Sequence, residues 1–352
     1  MPYVYSMNNN SRRIVIIWLS VCSAMVFAMV VLGGAVRLTG SGLSMVDWKP
    51  LMGIFPPLGD HAWQLAFDQY KQFPEYQLVN YQIGLDHFKF IYLMEYSHRV
   101  LGRIIGIVFF IPFVYFLAAR KLDKQLVPRL WFLFLLGSIQ GGVGWYMVKS
   151  GLVDNPAVSQ YRLTLHLMLA VLIYAYLVRC IVGLAGLSRA QSVSIIVKPN
   201  RVLTLGYIVL GAVLLMITSG GFMAGTHAGF ILNTFPTMGG VWVPDHLLAM
   251  QPVWKNFFEN TVTIQFIHRS LALAVFILVS VFAVQFYRLD KAHNLKIASF
   301  LFVALLLQLT LGVSTLVFHV PVALGVAHQG GALVLLLVLV IAISCPFRVE
   351  SK

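Results

Sequence analysis

The sequence predicts an all-α integral membrane protein, its eight transmembrane helices forming two pseudo-twofold-related four-helix bundles. Three observations lead there. Of 352 residues, 59% are hydrophobic and only 11% are charged, a balance foreign to soluble domains of this length. Eight apolar runs are long enough to cross a hydrocarbon core about 30 Å thick. The first four runs and the last four also carry matching short motifs in the same order, which marks an internal duplication.

The runs cover residues 14–36, 89–118, 130–148, 161–184, 202–224, 262–286, 297–318 and 321–346. The first follows Arg12 and Arg13 as a signal peptide would, but it is too long for a cleaved signal core and reads as a retained span. No Arg- and Ser-rich amphipathic leader precedes it, which favours a bacterial inner (cytoplasmic) membrane over a mitochondrial precursor.

The net charge of +13 is a topology signal. Basic residues such as Lys121, Lys124, Arg129, Arg288, Lys291 and Lys296 gather in the tails and alternate loops. The remaining loops hold Asp47, Asp60, Asp68, Glu75, Asp86, Asp154, Asp245 and Glu259. The positive-inside bias therefore places both termini in the cytoplasm and removes the reason to expect nucleic-acid binding. Cys22, Cys180 and Cys345 avoid the external loops, which excludes an extracytoplasmic disulfide and leaves them as small buried hydrophobes.

The duplication divides the chain into residues 1–190 and 191–352. Gly33-Gly34-Ala35 closes span one and Gly220-Gly221-Phe222 closes span five. Glu95-Tyr96-Ser97-His98-Arg99 and Gln265-Phe266-Ile267-His268-Arg269 open spans two and six, 170 residues apart. Spans three and seven share a Gln-and-Gly stretch, Gln140 to Gly144 against Gln308 to Gly312, and spans four and eight carry His166 and His328. Four spans per half is an even number, so both halves insert in the same sense, with the axis along the membrane normal. Residues 37–88 form a long external segment with an interfacial helix expected over Asp60–Lys71. Residues 226–261 cap the second half, with a turn at Asn233-Thr234-Phe235-Pro236. The cytoplasmic loops are short and lack a Gly-rich phosphate motif, so no nucleotide site is expected.

An ionisable residue at membrane depth is a functional candidate by default. His98, His166, His268 and His328 all lie a few residues inside inward-running spans, about 8–14 Å below the outer surface at 1.5 Å per residue. A single such histidine is more often a packing or hydrogen-bonding residue. Two pairs, at intervals of 68 and 60 residues, are instead what a planar iron macrocycle needs for two axial ligands. Zinc fits poorly, for want of further Cys or His ligands. Gly102, Gly106, Gly330 and Gly331 follow the ligands and suit either close approach of a flat ring or ordinary helix contacts.

Glu95, three residues before His98, shares its helix face. Its counterpart Gln265 cannot ionise. The halves thus look alike as haem holders and differ in proton chemistry, with Glu95 either a proton acceptor or the partner of Arg99, Arg103 or Arg37. Arg99, Arg162 and Arg269 flank the ligands and suit haem propionates, although Arg162 also suits simple interfacial snorkelling. His61, His87, His227, His246, His293 and His319 belong to loops or span ends and receive no role.

Taken together, the run Gly33 to Ser44, Trp48-Lys49-Pro50, Glu95-Tyr96-Ser97-His98-Arg99 and Asn233-Thr234-Phe235-Pro236 resemble the haem A synthase family, in the type shared by alphaproteobacteria and mitochondria. The resemblance implies an oxidoreductase that converts the C8 methyl of haem O to a formyl group by successive hydroxylations, giving haem A for terminal oxidases. It further implies that His268 and His328 bind a haem b cofactor, that His98 and His166 hold the substrate haem, and that Glu95 is the catalytic carboxylate. Some members carry a cysteine pair in the first external loop; residues 37–88 here have none. The partners expected are haem O, a separate electron-transfer partner, haem O synthase, membrane lipid and further copies of the chain. Two other classes fit parts of the pattern: a dihaem b-type electron-transfer cytochrome, and a transporter using the histidines as a proton relay.

Overall fold

A computed structural model describes residues 7–46, 55–151, 158–186 and 201–344. Asp47, Trp48-Lys49-Pro50, Asp154, Cys345 and the 190/191 division between halves lie outside the described residues.

Among the described residues, eight helices are long and apolar enough to span a membrane. In chain order the helices are α1 (Asn9–Leu38), external α2 (Asp60–Tyr70) and α3 (Pro74–Leu78), α4 (Leu85–Ala118), α5 (Val127–Gly151), α6 (Gln160–Ala185), α7 (Arg201–Gly225), external α8 (Asn256–Glu259), α9 (Thr261–Leu289), α10 (Lys291–Val317) and α11 (Val322–Ser344). This is the predicted multi-pass all-α architecture. Most spans extend a few residues beyond their apolar runs, because polar caps outside the runs continue the helices. Asn8 Oδ1 accepts from Ser11 N–H at 2.7 Å at the start of α1. Asn260 Oδ1 takes the Val262 N–H at 3.0 Å, and Asp290 Oδ1 takes the His293 N–H at 2.9 Å. These side chains satisfy donors that a helix start leaves open. The expected interfacial helix is α2. The second half has no helix of that length in its cap, only 3₁₀ turns at Ala228–Phe230 and Val253–Lys255 followed by α8.

Within the first half α1 contacts α4, α4 contacts α5, α5 contacts α6, and α6 returns to α1. The second half repeats this circuit as α7, α9, α10, α11 and back to α7, and the halves meet along α1/α11, α6/α7 and α6/α11. The most apolar window of α6 is 56% buried and that of α5 only 6%, so α6 stands at the centre and α5 faces lipid. Val171, Leu177, Val209, Leu336 and Leu339 fill the central layer. Cys22 and Cys180 are buried there as free thiols.

Lipid offers no hydrophobic incentive for helices to associate, so close backbone approach at small residues must supply the contact. A Cβ on Gly225 of α7 would lie 2.5 Å from Gln160 Cβ and 2.7 Å from Gln160 Cα on α6. Gly225→Val therefore forces apart the helices that join the halves. A cost of about 1–3 kcal/mol is expected, read as a lower thermal unfolding midpoint of the detergent-solubilised protein; an unchanged midpoint would show this crossing to be dispensable. At the same end, Arg37 of α1 donates from Nη2 to Ala224 O at 2.9 Å and lies 2.8 Å from His227 Nε2. Burial, then the adjacent guanidinium, hold His227 below the ordinary imidazole range. The neutral ring accepts from Arg37, a structural role for a histidine the sequence left unassigned.

Candidate functional site

The four histidines stand on α4, α6, α9 and α11, two in each circuit. His98 and His166 are close enough to influence each other electrostatically, as are His268 and His328. As residues all four are of intermediate burial. Every one of them also backs onto a glycine of the preceding long helix. A Cβ on Gly33 would lie 3.2 Å from His98 Nε2, and one on Gly144 2.9 Å from His166 Cε1. In the second half, a Cβ on Gly220 would lie 3.5 Å from His268 Cε1 and one on Gly312 2.8 Å from His328 Cε1. These glycines are the repeat motifs that close spans one and five and run through spans three and seven. The duplication in sequence is thus a duplication of histidine–glycine contacts in space.

The glycines following the histidines do other work. Gly102 faces Met29 Cε at 3.3 Å, Gly106 has nothing within 4 Å, Gly330 packs on Val31 and Phe27, and Gly331 packs on Gln308. None borders an imidazole. Their spacing along the helix placed them near the ligands in sequence but turned them toward other neighbours.

The rings are fixed by different hydrogen bonds. Ser219 Oγ lies 2.8 Å from His268 Nδ1, which leaves Nε2 as the nitrogen available to a metal. Gln140 Nε2 donates to the His166 carbonyl at 3.0 Å. His166 Nδ1 and His328 Nδ1 are buried without a hydrogen-bond partner among the described residues. Such polar atoms are costly unless something else engages the ring. Two glycine-backed imidazoles per bundle, one of them with an unsatisfied Nδ1 among the described residues, are a donor set that fits an iron macrocycle.

Glu95 and Gln265 are 3% and 0% exposed, and each fastens an external loop to its histidine-bearing helix. Glu95 Oε2 accepts from Ser44 Oγ and Met45 N–H, both at 2.8 Å, and Oε1 pairs with Arg99. Gln265 Nε2 does the converse, donating to Ala228 O at 3.1 Å and Ile231 O at 2.6 Å. One loop presents donors to an anion and the other presents carbonyls to an amide. Ser44 lay within the motif run, but nothing in the sequence pointed to Met45 or Ser219.

The arginines divide likewise. Arg99 Nη2 also donates to Met45 O at 3.0 Å, and with Arg103 it lines a cavity of about 330 Å³ bordered by Tyr92, Phe55 and Leu65. Arg269 donates to the carbonyls of Leu232 at 2.7 Å, Thr234 at 2.8 Å and Thr237 at 3.2 Å, while its Nε is buried and unpartnered among the described residues. Arg162 stacks over Tyr146 at 4.7 Å from the ring centroid.

Residues 16–340 match the model of the cytochrome oxidase assembly protein family COX15-CtaA. The chain belongs to that family. Among curated members of the COX15-CtaA family, a protein named heme A synthase from Nitrosospira multiformis is 47% identical over 325 residues, covering 92% of this chain and 91% of its own. Proteins of the same name from Parvibaculum lavamentivorans and Azorhizobium caulinodans are each 45% identical. They cover 90% and 93% of this chain, and 90% and 92% of their own lengths.

Proposed function

We propose that this COX15-CtaA protein is a haem A synthase, oxidising the C8 methyl of haem O to a formyl group by successive hydroxylations. The family, and the shared name of its similar members, support the activity. In this reading the first half is the reactive one: His98 and His166 hold haem O, and Glu95 is the carboxylate beside it. His268 and His328 would hold haem b, which supplies a one-electron carrier when bound. The single observation that carries the assignment is the repeated histidine–glycine contact with a buried carboxylate in place of an amide in one half only.

The chain's own residues orient and charge the site. Gly33, Gly144, Gly220 and Gly312 seat the imidazoles, and Ser219 fixes the His268 tautomer. Arg99 pairs with Glu95 and ties it, with Ser44 and Met45, to the external loop. The unpartnered Nε–H of Arg269 is a donor suited to a propionate, and Arg99 and Arg162 are assigned the same role in the first half. A pseudo-twofold axis is supported by a helix circuit that keeps its pattern when the halves are exchanged. The charge bias of the loops supports cytoplasmic termini in a bacterial inner membrane.

Co-expression with a source of haem O, followed by pigment extraction and mass analysis, tests the reading. A formylated pigment dependent on this chain is expected; unchanged haem O would overturn it. A dihaem b-type electron-transfer cytochrome is the second reading, favoured by one observation: Glu95 is already fully engaged in fastening a loop.

A further inference from the structure

The cap over the first half contains a second buried carboxylate that the proposed chemistry leaves unused. Glu75 of α3 is only 8% exposed. Its charge and that of Glu95 influence each other, and both act on Tyr70. Glu95 has Arg99 as its ion-pair partner, and Glu75 has no ion pair among the described residues. Glu75 receives the Tyr70 hydroxyl at 3.2 Å, and Asn80 Nδ2 in turn donates to that hydroxyl at 2.8 Å.

Other charged groups of the cap are engaged elsewhere. Lys71 pairs with Asp68 at 2.9 Å and Lys89 with Asp60 at 3.7 Å. From α4, Arg103 lines the cavity beside Tyr92, and from α3 itself Tyr76 packs edge-on against Tyr70. Phe67, Tyr70, Phe88 and Ile91 form the apolar cluster of this cap. Charging both carboxylates would place a second negative charge in a poorly solvated space, on a Glu75 that makes no ion pair among the described residues. Coupled acids in that position share a proton, and it resides on the one that lacks a cation.

We propose that Glu75 is a positioning residue for the first-half site: as the neutral acid it leaves Glu95 the single, Arg99-compensated anion beside the substrate haem. This rests on the haem reading of that half. The step is a simple ionisation, in which the Glu75 O–H bond breaks, its proton passes to external water, and no electron moves. The resulting carboxylate repels Glu95 and competes for Arg99.

Burial, then the charge of Glu95, push the Glu75 carboxyl up to about 8, against the opposing Tyr70 hydrogen bond. The neutral form therefore prevails below that pH, and the ordered pair is lost as pH rises through it. Removing the Tyr70 hydrogen bond, which favours the anion, moves the midpoint upward.

The test uses the full-length protein in lipid nanodiscs, following the infrared carbonyl stretch of protonated carboxyl groups from neutral to alkaline pH. A band bleaching with a midpoint near 8 is expected in the wild type, absent from Glu75→Gln and shifted upward in Tyr70→Phe. The alkaline limb of pigment formation should disappear in Glu75→Gln and follow the shifted midpoint in Tyr70→Phe. A band that survives Glu75→Gln, or an alkaline limb left in place by it, overturns the proposal. Should Glu75→Gln fail to fold, Tyr70→Phe with Glu75→Asp decides it: both must move the band and the limb together, and a displacement of only one overturns it. The infrared measurement needs no turnover. A wild type that shows the Glu75 band but makes no formylated pigment would sink the functional reading and, with it, the role in positioning, leaving only the shared proton.

Discussion

Glu95→Gln lowers haem A formation by about 100-fold or more, while both halves retain haem. Glu95 is the carboxylate one turn before His98 on the same helix, and its counterpart Gln265 shows that the amide shape alone is compatible with a histidine-bearing helix. The substitution also has a structural cost. All the hydrogen bonds that reach Glu95 come from donors: Ser44 Oγ, Met45 N–H and Arg99. An amide turns an N–H toward at least one of them and removes the Glu95 charge from its ion pair with Arg99, whose side chain is 11% exposed. Bound haem, read from the Soret band and from haem-to-protein stoichiometry, separates the two effects. Haem retained with product lost supports a chemical role. Haem and product lost together reduces Glu95 to a loop anchor. Full conversion by the variant would show that Glu95 is not needed for the chemistry.

The spans were legible because lipid imposes one rule on composition and another on length, and neither depends on partners. The histidine pairs were legible because polar side chains at that depth need a reason. Duplication made the glycines legible too, but only as motifs. Gly33, Gly144, Gly220 and Gly312 were visible as repeats without revealing that they back the imidazoles, whereas Gly102 and Gly106 lie near His98 along the chain and face away from it. Helix rotation decides which way a glycine faces, and an all-round apolar helix carries no strong periodic signal of it. The loop fastening was illegible for another reason. Ser44, Met45, Ala228 and Ile231 act through backbone groups or a hydroxyl from irregular segments, and a backbone N–H or carbonyl leaves no mark in the sequence. Glu75 was counted only as external charge, because the aromatic cap that buries it forms in three dimensions from α2, α3 and α4.

Alanine at the four imidazole-backing glycines produces a graded loss of haem, ordered by clearance. Gly312 is the tightest at 2.8 Å, then Gly144 at 2.9 Å, Gly33 at 3.2 Å and Gly220 at 3.5 Å. At the two tightest positions the added methyl group overlaps a ring carbon, and something must yield. The hairpin between α10 and α11 is only Phe318 to Pro321, which restricts sliding of those helices, so the His328 ring turns and the nitrogen proposed to hold haem moves. Disturbing the setting of a metal ligand typically weakens retention about 10–100-fold, and that range is expected for Gly312→Ala in the second half and Gly144→Ala in the first. Gly220→Ala meets ordinary van der Waals distance and should bind haem as the wild type does. Gly106→Ala, with nothing within 4 Å, is the control, and alanine is the better helix former at every one of these positions. Loss of haem from a folded protein therefore reports on ring placement alone. Haem-to-protein ratio after gel filtration measures it. If Gly220→Ala loses as much haem as Gly312→Ala, clearance does not govern retention and the glycines are only helix contacts.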